Sequence, residues 1–168
     1  MENSGRVVAI HLCVGHRKPM KRVEEVRALL KIGLEGDFHA RGGKRQVLLV
    51  EGETLETLHL SPGDVRENIT TQGISLMDLS AGQILEIVGA RSSHGGMPIL
   101  LEITGPCAPC QRMEEIREGL EEELKGRRGI LVRVMRSGTI RVGDSIKVNA
   151  EREKKNIETQ KIATIKFL

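Results

Sequence analysis

The 168-residue chain predicts a mostly β domain, a barrel or strongly curled sheet with a few peripheral helices, and three observations carry that prediction. Short apolar runs rich in β-branched residues recur along it, while stretches with helical spacing are few. The carboxy-terminal "GILVRVMRSGTIRVGDSIKV" alternates strand-like segments with "SG" and "GD" turns and reads as a closing meander. That segment leaves no room for the crossover helices of a parallel doubly wound sheet.

Taken in order, "GRVVAIHLCV" reads as a strand, and "KRVEEVRALLKIG" sets Val23, Val26, Leu29 and Leu30 at helical spacing, which predicts a helix. "GLEGDFHARGGK" is crowded with glycine and small polar residues and predicts a loop, the kind of segment on which ligands bind. "RQVLLVE" resumes as a strand, "ETLETLHL" as a short helix ended by "SPGD", and "RENITTQGI" as a strand. "GQILEIVG" and "MPILLEITG" are two further strands joined through "ARSSHGG". Beyond them Met113, Ile116, Leu120 and Leu124 share one helical face and charges fill the other, the strongest helix prediction in the chain. Glycine followed by aspartate recurs in "EGDF", "PGDV" and "VGDS", each expected to mark a turn between strands. The reading is one domain over residues 1–149, followed by a charged tail over 150–168 that is either a docked helix or a loose end.

Two Phe, with neither Trp nor Tyr, leave core packing to aliphatic side chains. A net charge of +3 is too mild for a nucleic-acid binder, and the lack of rings removes the stacking platforms of single-strand binders. A small anionic ligand suits the local basic clusters "HARGGKRQ" and "KGRRG" better than a polymer. No run is long enough to cross a bilayer and the start lacks a secretory pattern, so a cytoplasmic protein is expected.

Three cysteines, an odd number, do not make the disulfide framework of a secreted domain. Cys107 and Cys110 lie three apart in "ITGPCAPCQRMEE", and that spacing has several readings. Structural zinc needs two more ligands, and Cys13, His11 and His16 form only a loose cluster without matching spacing. A thioredoxin-like couple fits the strand, "CAPC", helix context, but no proline follows Pro109 and no aromatic residue precedes Cys107. A single reactive sulfur is the third reading. Cys110 stands nearest the expected helix start, where unpaired N–H groups and Arg112 favour an ionised sulfur. Both cysteines also read as small buried hydrophobes.

Five motifs in order resemble the MOSC domain, the module named after the carboxy-terminal part of molybdenum cofactor sulfurases. "GLEGDFHARGG" looks like that family's glycine, glycine-aspartate, histidine loop, and "KRQVLLVEGETL" resembles its Arg-Gln-Val strand leading into a short helix. "SPGDVRENITTQGI" is similar to its proline-glycine-aspartate turn with Glu-Asn and Thr-Thr pairs. "ITGPCAPC" resembles the strand ending in the family cysteine, aligned with Cys110, and "GRRGILVRVMRSGTIRVGDSI" its closing hairpin. One departure is Arg66, where the family often has glycine before Glu-Asn, which makes the backbone less permissive and the pocket more cationic.

The resemblance implies a barrel-like domain, with its site at one end, that binds the molybdenum cofactor (molybdopterin), a pterin dithiolene with a terminal phosphate. Cys110 would ligate molybdenum or carry sulfur as a persulfide. On physical grounds Arg45, Arg66 and Arg112 would hold phosphate and pterin, Gln46 and Asn68 would read the pterin's amide-like edge, and Thr71 joins that set. His39 would donate to a cofactor oxygen or carry a proton. Asp37 reads as a turn former rather than a catalyst. The implied activity is reduction of N-hydroxylated substrates with electrons from a partner protein; the alternative is a carrier of sulfur, received from a donor protein, or of cofactor.

Overall fold

The structure is a computed structural model that describes residues 3–90 and 96–150. Its strands are β1 (Asn3–Leu12), β2 (Lys21–Val23), β3 (Glu25–Leu29), β4 (Gly33–Leu34), β5 (Val47–Glu51), β6 (Ile69–Ile74), β7 (Ile84–Val88), β8 (Ile99–Pro106), β9 (Ile130–Arg136), β10 (Gly138–Arg141) and β11 (Ser145–Val148). Two short helices, α1 (Gly52–Thr57) and α2 (Leu120–Glu123), and two 3₁₀ turns, Leu76–Asp78 and Gln111–Met113, complete it. Among the described residues seven strands close into a barrel in the order β1, β6, β5, β9, β8, β7, β11, and β11 pairs back onto β1. Every pairing is antiparallel except β5 with β6, whose crossover carries α1. Strand β2 extends β1, and β10, β3 and β4 form a separate small sheet. The mostly β barrel predicted from the sequence is therefore the fold.

Alternation of side chains explains how the barrel is filled. In β5, Val47 and Leu49 join the interior cluster with Ile69, Leu101, Val132 and Ile146, while Leu48 and Val50 point outward. The outward pair packs with Leu55, Met113, Leu120 and Leu124 in a second cluster beneath the helices. Both faces of β5 are thus covered, which is why "VLLV" is uninterrupted in apolar residues.

Three local expectations are corrected. "KRVEEVRALLKIG" forms β2 and β3 rather than a helix: Val26 and Ala28 are buried while Glu25 and Arg27 are exposed, a period of two, and β3 pairs with β10. Leu30, assigned to the helical face, is exposed. The strong helix after the cysteines is a 3₁₀ turn and the four-residue α2, because Gly119 takes a positive φ of 84° and the Glu114 carboxylate accepts from Gly119 N at 2.8 Å and Glu121 N at 2.9 Å. Met113, Leu120 and Leu124 still bury together, whereas Ile116 does not. The closing meander also dissolves: β10 leaves to pair with β3, and β11 pairs with β7 and β1. Most of "ARSSHGG" and of the charged tail lies outside the described residues.

Candidate functional site

Five chain segments converge on one flank of the barrel: the loop after β1, the loop before β5, the turn before β6, the Cys107–Met113 segment after β8, and Arg128 before β9. They enclose a cavity of about 230 Å³. Its floor is Leu48 and Leu131, both outward-facing, so it lies between the barrel wall and the peripheral segments. The barrel's own interior is packed with side chains.

The structure brings most of the expected site residues together. Cys110, His39, Arg45, Gln46, Arg66, Asn68 and Arg112 all line the cavity. Thr71 does not. Period two places it on the inward face with Ile69, where it is fully buried, pairs in register with Val7 and Glu51, and has a hydroxyl without a partner among the described residues. Residues that the motif reading did not select also line the cavity: Cys13, His16, Phe38 and Arg128. Arg128 lies in the basic cluster "KGRRG" and Cys13 and His16 in the loose amino-terminal cluster, but neither had a spacing pattern that assigned a role.

Asp37 organises the walls. Its buried carboxylate accepts from Cys13 N at 2.7 Å and Asn68 Nδ2 at 2.9 Å through Oδ2, and from His39 N at 2.8 Å through Oδ1. It therefore ties the end of β1, the start of β6 and the histidine loop to one charged group. His39 is half exposed, with Nδ1 3.3 Å from Asp37 Oδ1. Phe38 packs edge-on to the His39 ring and lies beneath the Arg41 guanidinium at 4.4 Å.

The two amides are committed to the protein's own chain. Asn68 Oδ1 accepts from Leu48 N and its Nδ2 donates to His11 O and Asp37. Gln46 donates to Gly43 O at 2.8 Å and accepts from Val134 N at 2.9 Å. Both side chains hold loops against strands.

Two of the cavity's sulfurs each accept from a guanidinium. Arg66 donates to Cys13 Sγ at 3.2 Å and to Lys18 O at 2.9 Å, from a backbone φ of 65° that favours glycine. Arg128 is buried and donates to Cys107 Sγ at 3.2 Å, Ala108 O and Val65 O. Cys13 and Cys107 are buried and Cys110 is exposed; all three are free thiols. Among the described residues the guanidiniums of Arg45 and Arg112 have no hydrogen-bond or ion-pair partner, and no Asp or Glu lines the cavity. The 3₁₀ turn after Cys110 is too short for a helix dipole, which removes that expected support and the main feature of the thioredoxin-like reading. Arg45, Arg66, Arg112 and Arg128 line the same cavity as Cys110.

Behind the site, burial pushes the Glu67 carboxyl above its ordinary range, opposed by bonds from Gly63 N and the Thr70 hydroxyl. Burial, aided by Arg22, lowers His11.

A family model for the MOSC domain matches residues 37–147. No curated protein matches the chain at a significant level. Among solved structures, the YuaD protein from Bacillus subtilis superposes with a TM-score of 0.71 at 18% identity, covering 88% of this chain and 97% of that one. YiiM from Geobacillus stearothermophilus gives 0.67 at 16% identity over 86% and 75%, and YiiM from Escherichia coli gives 0.60 at 19% over 86% and 69%. These structures share the fold, and the family match covers most of the barrel and four of the five converging segments. The chain belongs to the MOSC domain family.

Proposed function

We propose that the cavity binds the molybdenum cofactor, with Cys110 Sγ as the protein's ligand to the metal. The observation that carries this reading is an exposed thiol in one cavity with two guanidiniums that have no partner among the described residues, and with no described carboxylate in its lining. A soft metal favours thiolate sulfur, and a metal that takes Cys110 as a single protein ligand must bring its remaining ligands with it, as a dithiolene-bound metal does. Arg45 and Arg112 would hold the terminal phosphate by charge-assisted bonds. Arg66 and Arg128 are largely occupied by Cys13, Cys107 and carbonyl oxygens, and act as positioning groups. Gln46 and Asn68 set the loops, and Asp37 holds His39 at the rim, where its imidazole can move a proton.

When bound, the group would supply two-electron oxygen-removal chemistry suited to an N-hydroxylated substrate, with electrons from a partner protein. The exposure of Cys110 also favours a second reading, in which this thiol accepts sulfur from a donor protein as a persulfide.

Purification of the full chain from cells with an intact cofactor pathway tests both. The expected result is one molybdenum and one pterin per chain, with molybdenum lost in Cys110→Ala. Persulfide on Cys110, read by cyanolysis and without retained metal, supports the carrier instead. Molybdenum retained in Cys110→Ala removes the ligand assignment.

A further inference from the structure

Beside the cavity lies a second hollow of about 460 Å³ that shares Arg66 and Arg112 with it. Its walls are the loop Arg17–Met20, the Pro62–Asp64 turn and the segment Arg112–Ile116. The motif reading touched it only at the Pro62–Asp64 turn, Arg66 and Arg112, and assigned it no ligand of its own.

Its surface divides into two parts. Pro19, Met20, Pro62 and Ile116 are apolar, and Ile116 is one of the exposed large hydrophobics. The other part carries Arg17, Lys18, Arg66 and Arg112 against Asp64 and Glu115. Both carboxylates are already engaged: Asp64 accepts from Ser61 N at 2.8 Å, and Glu115 pairs with Arg17 at 3.3 Å. Lys18 Nζ has no partner among the described residues, and the Arg17 pair is so exposed that it holds its guanidinium weakly.

A buried histidine also lines the hollow. His11 is 6% exposed and has a buried Nδ1 without a partner among the described residues. A Cβ on Gly63 would stand 2.9 Å from His11 Nε2, so the glycine at this turn keeps the ring's edge clear. An apolar shelf beside available cations forms a receptor for an organic anion.

We propose that this second hollow is a carboxylate-binding subsite, taking the anionic end of an elongated organic ligand whose other end reaches the Cys110 cavity. Lys18 and Arg17 receive the carboxylate, Arg66 and Arg112 form the positive wall between the two chambers, and the apolar shelf takes the connecting ring or chain. A monoanion is favoured over a dianion because Asp64 and Glu115 stand at the same hollow.

Calorimetric titration of the full chain with benzamidoxime and with 4-carboxybenzamidoxime tests the assignment. The N-hydroxyl end of these probes rests on the proposed function; the carboxylate end does not. The carboxylated probe is expected to bind about tenfold more tightly, with the preference shrinking as salt rises. The Arg17→Ala/Lys18→Ala double variant, altered only in an exposed loop, should lose the preference while keeping its bound pterin. Equal affinities in the parent chain, or a preference that survives the double substitution, overturns the subsite. Loss of pterin in the double variant also overturns it, because the hollow would then hold the cofactor's own phosphate. The titration reads binding, on metal-free and loaded chain alike, so a missing metal counts against the proposed function alone.

Discussion

Single side chains at this site divide into those that face a ligand and those that hold the walls. Asp37 belongs to the second kind, since its carboxylate accepts three N–H groups from three segments. Asp37→Ala leaves those donors buried and unpaired and should cost about 2–4 kcal/mol, measured by urea unfolding. Arg66 sits at φ 65°, so two truncations that remove the same side chain should differ. Arg66→Gly should be more stable than Arg66→Ala by about 1 kcal/mol, and equal stabilities would show that the backbone there is unstrained. Glu67 tests linkage. Its raised value means that the folded chain holds the proton more firmly than the unfolded chain, so its contribution is full below 4.5 and is lost as pH rises through the folded value. Glu67→Gln keeps an acceptor for Gly63 N and Thr70 but cannot titrate. The stability of the variant relative to the parent should therefore rise as pH increases from 4.5, and parallel pH curves would refute the assignment.

At the scale of elements, the cavity exists because the last and first residues of several strands are tied across their gaps. Gln46 links the loop before β5 to Val134 in β9, and Cys107 N donates to Gly129 O where β8 runs into the cysteine segment. Gly129 is the tightest junction: a Cβ there would lie 2.0 Å from Leu49 O, and its φ is 90°. Gly129→Ala therefore forces backbone apart and is expected to cost more than about 3 kcal/mol or to prevent folding, read by circular dichroism and expression as soluble chain. The helix α2 is held by Glu114 rather than by length, since that carboxylate accepts from Gly119 N and Glu121 N and lies below its ordinary range for that reason.

The molecule as a whole is a barrel filled by aliphatic side chains, with a second apolar layer outside one wall. Leu101, fully buried in β8, should cost about 2–5 kcal/mol when truncated to alanine, because barrel strands cannot collapse into the void. Ile116→Ala, at an exposed position, should change stability by less than about 0.5 kcal/mol, and thermal unfolding of the two variants distinguishes core from surface. Among the described residues no helix is long and apolar enough to cross a membrane.

Strand content, turn chemistry and the family motifs were legible because they are local. Apolar β-branched runs, glycine-aspartate turns and the Arg-Gln-Val, Glu-Asn and Cys110 positions depend on neighbours along the chain. Period two and period 3.6 coincide over "KRVEEVRALLKIG", so only the partner strand β10 could decide that Val26 and Ala28 bury. The cavity likewise needed tertiary structure. Cys13, Arg128 and Arg66 are separated by tens of residues and carry no shared spacing, and barrel closure alone sets a guanidinium against each buried thiol. Thr71 shows the same division in reverse: its motif was readable, but a side chain one residue out of phase with Thr70 points into the core. The residue types thus specified which chemistry the chain can hold, while strand pairing decided which of those groups meet, because facing is set by register and not by proximity in sequence.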